Sequence, residues 1–398
     1  MKILWVKSDF LHPTTKGGQI RTLEMLRQLH RRHEIHYVAF DDGNREGVER
    51  SREYSKRAYP IPFRAVSKRS PRFAAQLGAG LFSRLPIAIQ RYRSTAMEHA
   101  IAALQARESF DAMVCDFLTP SINIHNIERF TLFQHNVETM IWRRHAEHAR
   151  DPLRRAYMRL QADRMFRYER DVCRRAAQVI AVSPVDRDVM RELFGLERVR
   201  DVATGVDIEY FQPPPSPPRL SDLVFIGSMD WMPNIHAVQE FVSQILPLIR
   251  RRRPDCSVAI VGRDPTPEIR ALAESDPNIR VTGTVPDVRP YLWGAGVSIV
   301  PIYIGGGTRL KIYESMAAKV PVVSTSVGAE GLTIDPPRNI RIADEPRAFA
   351  DACLELLENE AERERMRVEA WRMVASKFSW EKIASDFAEA LDSQRAVA

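Results

Sequence analysis

Short apolar runs recur through the first half of the chain, at Ile3 to Val6, Ile35 to Phe40, Ala112 to Cys115, Thr131 to Gln134 and Val179 to Val182. Their length and lack of polar alternation predict buried strands. Between the first two runs, Ile20, Leu23, Leu26 and Leu29 fall at near-helical spacing. Strand alternating with helix implies a parallel sheet covered on both faces. The run Pro213 to Pro218 breaks this pattern, because PPPSPP can form neither helix nor central strand and favours an extended connector. The alternation then resumes, with strands predicted at Leu223 to Ile226, Val258 to Val261, Ile279 to Thr282, Val297 to Val300 and Val320 to Ser324. Helices are predicted over Ile235 to Arg252, Pro267 to Glu274, Thr308 to Ala318 and Arg347 to Phe378. The expected fold class is α/β, with two doubly wound, Rossmann-like parallel-sheet domains facing across a cleft. Residues 1–212 form the first domain, 213–219 a proline-rich linker, 220–376 the second domain and 377–398 a terminal helix. Open parallel sheets bind ligands beyond the carboxyl ends of their strands, so the loops that follow strands carry the chemistry.

Composition narrows the class. The 398 residues are 44% hydrophobic and 27% charged, an ordinary globular balance. Cys115, Cys173, Cys256 and Cys353 are scattered with no CxxC pair, which supports neither a zinc ribbon nor a redox motif and predicts reduced, buried thiols in a cytoplasmic protein. The opening apolar run ends at Lys7, Ser8 and Asp9, too soon for a secretory signal core. No apolar stretch approaches the roughly 20 residues that span a bilayer, so the expected location is cytoplasmic, including the inner face of the membrane. The net charge of +7 gathers between Arg143 and Arg175, an arginine-rich stretch of helical character. Two readings stand there: a surface for anionic lipid, acidic glycan or nucleic acid, or a solvated helix partly neutralised by Glu147, Asp163, Glu169 and Asp171. Aromatic residues do not interleave with the arginines as nucleic-acid platforms require, and no nucleic-acid partner is expected.

The segment Val297 to Leu332 carries the clearest chemistry. A buried strand leads into Gly305, Gly306 and Gly307, and Thr308 can cap the helix that follows. Free amides, close backbone approach and the positive end of the helix together make a phosphate site. Arg309 and Lys311 lie in the first turn, where the helix dipole disfavours cations unless an anion is bound. Glu314, one turn on, can accept hydrogen bonds from ribose or sugar hydroxyls. The plainer alternative is a loose glycine turn, with Lys311 and Glu314 an ordinary i, i+3 pair.

These residues resemble the signature of family 4 GT-B glycosyltransferases, in which a helix bearing EAMA precedes G-x-PVV-x-T and a small-residue loop. The matching residues are Glu314-Ser315-Met316-Ala317, Pro321-Val322-Val323, Thr325 and Gly328. The resemblance implies that Glu314 holds the donor ribose. Where many members have a second glutamate for the donor sugar, this chain has Gly306. Lys16-Gly17-Gly18-Gln19-Ile20-Arg21 sits where the family's glycine pair approaches the donor diphosphate, and adjacent glycines do not make the G-x-G-x-x-G of a Rossmann oxidoreductase. His135, in Phe133 to Glu138, falls where a family histidine enters the cleft beside the transferred sugar. Val179 to Asp186, and Thr204-Gly205-Val206-Asp207 with Phe211 and Pro213, resemble the lead-in to the interdomain linker. After Gly227 the usual arginine and lysine are replaced by Met229, Asp230, Trp231 and Pro233, as in a subgroup handling polysaccharide or glycolipid assembly. Arg309 and Lys311 must then supply the missing charge, with Arg263 a lesser source. Val281 to Val288 matches the loop that holds the nucleotide base through its backbone, placing Val285 at the base. Trp380 opens a terminal helix expected to cross back to the first domain as a packing anchor.

The resemblance implies a retaining glycosyltransferase with the donor in the second domain and the acceptor side in the first. His135, Arg309 and Lys311 are the expected catalytic residues, and the donor is a nucleoside-diphosphate sugar. The acceptor is a glycan, a lipid-linked sugar or a small molecule, and peripheral membrane contact through the basic first half is a further expectation. No DxD-like pair stands at a strand end, so no metal or other cofactor is expected. Two alternatives remain open: a GT-B-fold nucleotide-sugar epimerase, and a non-catalytic partner in a polysaccharide assembly complex.

Overall fold

A computed structural model describes residues 1–14, 17–63, 80, 83–147, 151–304 and 309–395. The chain divides into two units, Met1–Thr204 with Trp380–Ala398, and Gly205–Ser379.

The first unit is built on a parallel sheet of seven strands: β1 (Lys2–Val6), β2 (Glu34–Asp41), β3 (Arg57–Pro62), β4 (Ala112–Asp116), β5 (Thr131–Gln134), β6 (Gln178–Ala181) and β7 (Val199–Asp201). Their order is β3-β2-β1-β4-β5-β6-β7. Strands β4, β5 and β6 are buried at every position, as a sheet covered on both faces requires. The edges β3 and β7 were not foreseen. Pro60 and Pro62 argue against a strand, yet an edge tolerates proline because one row of amides has no partner there. Of the helices, α1 (Gly17–His30) buries Leu23, Leu26 and Leu29, while Ile20 stays exposed. Helix α2 (Thr95–Arg107) is capped by Ser94. The arginine-rich stretch forms two helices, α3 (Glu138–Glu147) and α4 (Pro152–Arg175), because Asp151 caps a new start with Pro152 in its first turn. Helix α5 (Pro184–Phe194) starts at the Ser183 cap and ends at Gly195, whose φ of 64° suits glycine. The C-terminal helix, Trp380–Arg395, belongs to this unit, where Phe387 packs against Trp5 and Phe133 at centroid distances of 5.5 and 5.0 Å.

The second unit carries six parallel strands, β8 (Ser221–Ile226), β9 (Val258–Val261), β10 (Ile279–Val281), β11 (Ala295–Val300), β12 (Val322–Ser324) and β13 (Arg341–Ile342), in the order β10-β9-β8-β11-β12-β13. Its helices include α6 (Met232–Glu240), α7 (Pro267–Ser275), α8 (Leu310–Ala317), α9 (Pro346–Glu358) and α10 (Glu360–Lys377). Helix α6 continues through a π segment, Phe241–Ile245, into Leu246–Arg250. The single helix expected from Arg347 to Phe378 is two, because Asn359 leaves the helical region (φ −103°, ψ 96°) and caps Glu362.

The proline run is not the domain boundary. The division lies at Thr204/Gly205, since the segment ahead of the prolines is tied to the second unit. Asp207 caps the turn Ile208–Phe211, the carbonyl of Phe211 accepts from Trp293 Nε1 at 2.8 Å, and the amide of Val206 donates to the carbonyl of Phe378 at 2.7 Å. The prolines span the surface between two anchored points. All four cysteines are buried and free. Among the described residues, no helix is long and apolar enough to cross a membrane.

Candidate functional site

In the second unit the strand order reverses direction between β8 and β11, the place where a doubly wound sheet opens a crevice. The loops after β8 and β9 meet there with unusual closeness. A Cβ on Gly262 would fall 1.7 Å from the carbonyl oxygen of Gly227, so only glycine fits. A Cβ on Gly227 would lie 2.7 Å from Asn234 Nδ2 and 2.8 Å from Lys311 Nζ. This places the head of α8 directly against the β8 loop. Lys311 Nζ donates to Asn234 Oδ1 at 3.0 Å and lies 4.5 Å from the Phe225 ring centroid. The Asn234 amide in turn donates to the Ser228 carbonyl at 2.8 Å, so one buried side chain joins the lysine to the loop.

The sheet seats α8 from below. Ser298 on β11 hydrogen-bonds Ser315 at 2.8 Å, and Ser315 Oγ donates to the Lys311 carbonyl at 2.7 Å. Beyond the helix, the amide of Gly328 donates to Thr325 Oγ1 at 2.9 Å, and a Cβ on Gly328 would come within 2.7 Å of the Val300 carbonyl. The sequence PVVST with its later glycine thus folds the loop after β12 onto the end of β11.

The electrostatics at the head of α8 favour an anion. Burial, with repulsion from Arg309, holds Lys311 down to about 7, although Glu314 pulls the other way. Burial raises the Glu314 carboxyl against the pull of Lys311. Arg309, at the N-cap of α8, is 4% exposed, with its guanidinium carbon 5.4 Å from the Trp231 ring centroid. Two adjacent cations, poorly hydrated and at the positive end of a helix, destabilise the empty site and stabilise one filled by phosphate.

Of the residues expected from sequence, Gly227, Arg309, Lys311 and Glu314 are brought together. Arg263 reaches the same loop differently: it donates to Ser228 Oγ at 2.8 Å, lies 3.5 Å from Asp230 and is half exposed, so its charge is partly neutralised. Val285 lies in the loop after β10, on the same strand-end side but with β9 between β10 and β8. Gly305, Gly306, Gly307 and Thr308 lie outside the described residues. Asn234 and Trp231 were missed as site residues, and only the three-dimensional meeting of β8 and α8 reveals them.

The first unit has its own constellation where its strand order reverses, between β1 and β4. Asp116, at the end of β4, is fully buried and accepts from Trp5 Nε1 (3.0 Å), Lys7 Nζ (3.0 Å), Thr22 Oγ1 (2.8 Å) and His135 Nε2 (2.7 Å). Burial alone would raise its pKa, but the charge of Lys7 and the hydrogen bonds hold it below the usual carboxylate range. Burial lowers His135 to about 3 despite Asp116, so the imidazole is neutral. Its Nε2 hydrogen then points to Asp116, and Nδ1 accepts from Arg21 Nη1 at 3.2 Å. Both ring nitrogens are committed. The His135 ring is 4% exposed within this unit and stacks on Phe117 at 3.8 Å with a 12° interplanar angle.

Phe117 is held with φ at +72°, a conformation costing a bulky residue roughly 1–3 kcal/mol and persisting where the surroundings enforce it. Lys7 Nζ lies 4.1 Å from its ring centroid, and a Cβ on Gly18 would come 2.6 Å from its Cζ. Gly18 is therefore required by Phe117, whereas a Cβ on Gly17 would meet nothing within 4 Å. Lys7, Asp9, Gly18, Asp116, Phe117 and Asn136 help to line a cavity of about 610 Å³ in this unit.

Glu169 also departs from expectation. It is fully buried, not a solvated neutraliser, and accepts from the amides of Glu138 (2.9 Å) and Thr139 (2.7 Å), from Thr139 Oγ1 (2.6 Å) and from Gln134 Nε2 (3.0 Å). It anchors both sides of the His135 loop. Burial pushes its carboxyl up to about 7 against the pull of these donors. Other charges of α4 are also structural, with Arg164 donating to the Gly80 carbonyl and Arg174 to that of Phe194, both at 2.6 Å. Among the described residues, no three His, Cys, Asp or Glu side chains gather as a metal-ligand set.

Comparison with known proteins agrees with this geometry. Residues 221–359 match the family described as glycosyl transferases group 1. A Klebsiella pneumoniae protein described as an uncharacterized 44.6 kDa protein in the cps region is 22% identical over 171 residues. That alignment covers 41% of this chain and 44% of the Klebsiella protein, so the chain spans less than half the length of this curated relative. Among solved structures, Anabaena Alr3699/HepE in complex with UDP superposes with a TM-score of 0.69 at 13% identity, covering 99% of this chain and all of that one. Sucrose-phosphate synthase from Thermosynechococcus elongatus gives 0.69 at 15% identity, with full coverage of both chains. The fold is the GT-B fold of glycosyltransferases. The stretch that matches group 1 glycosyl transferases, residues 221–359, lies within the second unit.

Proposed function

We propose that the chain transfers a sugar from a nucleoside-diphosphate sugar to a hydroxyl acceptor, with retained anomeric configuration and no metal. The observation that carries this reading is the placement of Lys311 Nζ against Gly227, with Arg309 beside the Trp231 ring at the head of the same helix. A diphosphate bound there meets both positive charges while the helix terminus adds its partial charge. Glu314 receives the ribose hydroxyls. The bond between the anomeric carbon and the departing phosphate oxygen breaks, a bond from that carbon to the acceptor oxygen forms, and the acceptor proton passes to the phosphate. The cations stabilise the charge that develops on the leaving group.

One structural neighbour supports the donor class: Alr3699/HepE has been solved with UDP and with UDP-glucose. The Klebsiella protein's place in a cps region supports a role in polysaccharide or glycoconjugate synthesis. Four buried, free cysteines suit the reducing cytoplasm. His135 acts within this reading by ordering Asp116, Arg21 and Phe117, not by touching the sugar.

Incubation of the full chain with UDP-, GDP- and ADP-sugars, with and without a glycoside acceptor, tests the reading. A transferase releases nucleoside diphosphate faster when the acceptor is present. Interconversion of sugar nucleotides without release, or inertness toward every donor, contradicts it.

A further inference from the structure

In the second unit, the loop after β8 leaves an aromatic ring standing beside the cations at the head of α8. Trp231 is 41% exposed, and the guanidinium carbon of Arg309 lies 5.4 Å from its ring centroid. The backbone that carries the ring is held firmly. Met229 is fully buried and its amide donates to the Arg263 carbonyl at 2.9 Å, while the Trp231 carbonyl accepts from the amides of Asn234 at 2.9 Å and Ile235 at 3.3 Å. Met232, the first residue of α6, and Ile304, in the loop after β11, are exposed as well. Three large apolar side chains therefore stand exposed on the chain segments that flank the crevice between β8 and β11.

Asp230, next to Trp231, supplies the polar side of this surface. Its carboxylate accepts from Ser228 Oγ and lies 3.5 Å from Arg263, which itself donates to Ser228 Oγ at 2.8 Å. These contacts fix the carboxylate, yet its side chain stays half exposed and has lone pairs for further donors. Aromatic carbon beside a fixed acceptor matches a hexopyranose, which has an apolar C–H face and hydroxyls that donate. The occupant follows from Arg309. A phosphate held by that guanidinium lies next to the Trp231 ring, and the group esterified to the terminal phosphate is carried onto the loop after β8. In a nucleoside-diphosphate sugar, that group is the hexose. An indole on a fixed backbone offers this contact at low cost in conformational entropy, because it turns about only two torsions.

We propose that Trp231 and Asp230 receive the transferred sugar of the donor, with the C–H face of the pyranose on the indole and its hydroxyls donating to the Asp230 carboxylate. This rests on the donor reading for the phosphates at Arg309 and Lys311, and goes beyond it in assigning the sugar to the loop after β8. The nucleoside, at the other end of the diphosphate, makes no contact with Trp231.

Calorimetric titration of the full chain tests it, using UDP, GDP and ADP beside UDP-glucose, UDP-N-acetylglucosamine, GDP-mannose and ADP-glucose. The parent is expected to bind at least one sugar nucleotide together with its diphosphate. For that pair, Trp231→Leu should weaken the sugar nucleotide about 2- to 10-fold more than the diphosphate, the loss of one aromatic contact. Trp231→Phe keeps an aromatic face and should restore most of the difference. Asp230→Asn probes the same surface without touching the ring. It should weaken the sugar nucleotide but leave the diphosphate bound at least as tightly, because a negative charge beside the phosphates is removed. Both side chains are exposed, so thermal unfolding of the variants should match the parent. An equal change for the two ligands, in either Trp231→Leu or Asp230→Asn, overturns the proposal and leaves the donor reading standing. A parent that binds none of the nucleotides sinks the donor reading, and this assignment with it.

Discussion

Lys311 Nζ donates to Asn234 Oδ1 at 3.0 Å, and Asn234, in the first turn of α6, donates in turn to the Ser228 carbonyl in the loop after β8. A neutral amide satisfies the ammonium group without neutralising it. The charge is thus kept available for an anionic ligand, at the cost of a depressed pKa.

Removing that charge should weaken nucleotide binding more than stability. A hydrogen bond to a charged group contributes about 1.5–3 kcal/mol. Lys311→Met and Arg309→Met are therefore each expected to reduce UDP affinity by about 10- to 100-fold. Calorimetric titration checks this, with thermal unfolding as a control. Relief of burial and repulsion should leave Lys311→Met at least as stable as the parent.

Asn234→Asp should act in the opposite electrostatic sense. A carboxylate 3 Å from Lys311 forms an ion pair, raises the lysine pKa and repels phosphate. UDP affinity should fall although the lysine is present. Affinity equal to that of the parent would show that Lys311 does not contact the diphosphate.

In the first unit, Gly18→Ala brings a methyl group 2.6 Å from Phe117 Cζ, against a ring already held by His135 and Lys7. The expected destabilisation is about 1–3 kcal/mol, the usual range for overpacking. Gly17→Ala, with open space around its Cβ, should be neutral or slightly stabilising. Denaturant unfolding of the pair separates the two glycines, which sequence alone treats alike.

Glu169→Gln places amide hydrogens among four donors that require acceptors. A loss of about 1–3 kcal/mol follows from leaving a buried donor unsatisfied. The pH dependence has a definite sign. With a folded pKa raised to about 7, Glu169 contributes stability that is complete below the unfolded carboxyl value and is lost as pH rises through about 7. The parent should lose stability relative to Glu169→Gln over that interval, as read from urea midpoints across pH.

What was legible in the sequence follows locality. Lys311 and Glu314 lie within one short helix and Arg309 is its N-cap, so their mutual placement follows from spacing once the helix is recognised. The central strands announced themselves because burial on both faces demands unbroken apolar runs. The edge strands did not, since proline and charge are tolerated there. The Asp116 network was illegible for another reason: Lys7 and Asp116 are 109 residues apart and meet only because β1 and β4 are neighbours. Lys7 and Asp116 do share one local signal, a charge directly at the carboxyl end of an apolar run. The positive φ of Phe117 leaves no trace in composition, and Glu169 looked like any other acid on an arginine-rich helix.

The central claim is that Lys311, half-charged near neutrality in the empty site, becomes the charged partner of a diphosphate. Titration calorimetry of UDP at pH 7.5, repeated in buffers of different ionisation enthalpy, measures the protons taken up on binding. Because the empty-site pKa is about 7 and a bound anion raises it, UDP binding should take up a substantial fraction of a proton, and affinity should fall as pH climbs above about 7. In Lys311→Met that uptake should vanish along with most of the affinity. UDP binding with the same affinity and the same proton uptake in both proteins would contradict the account.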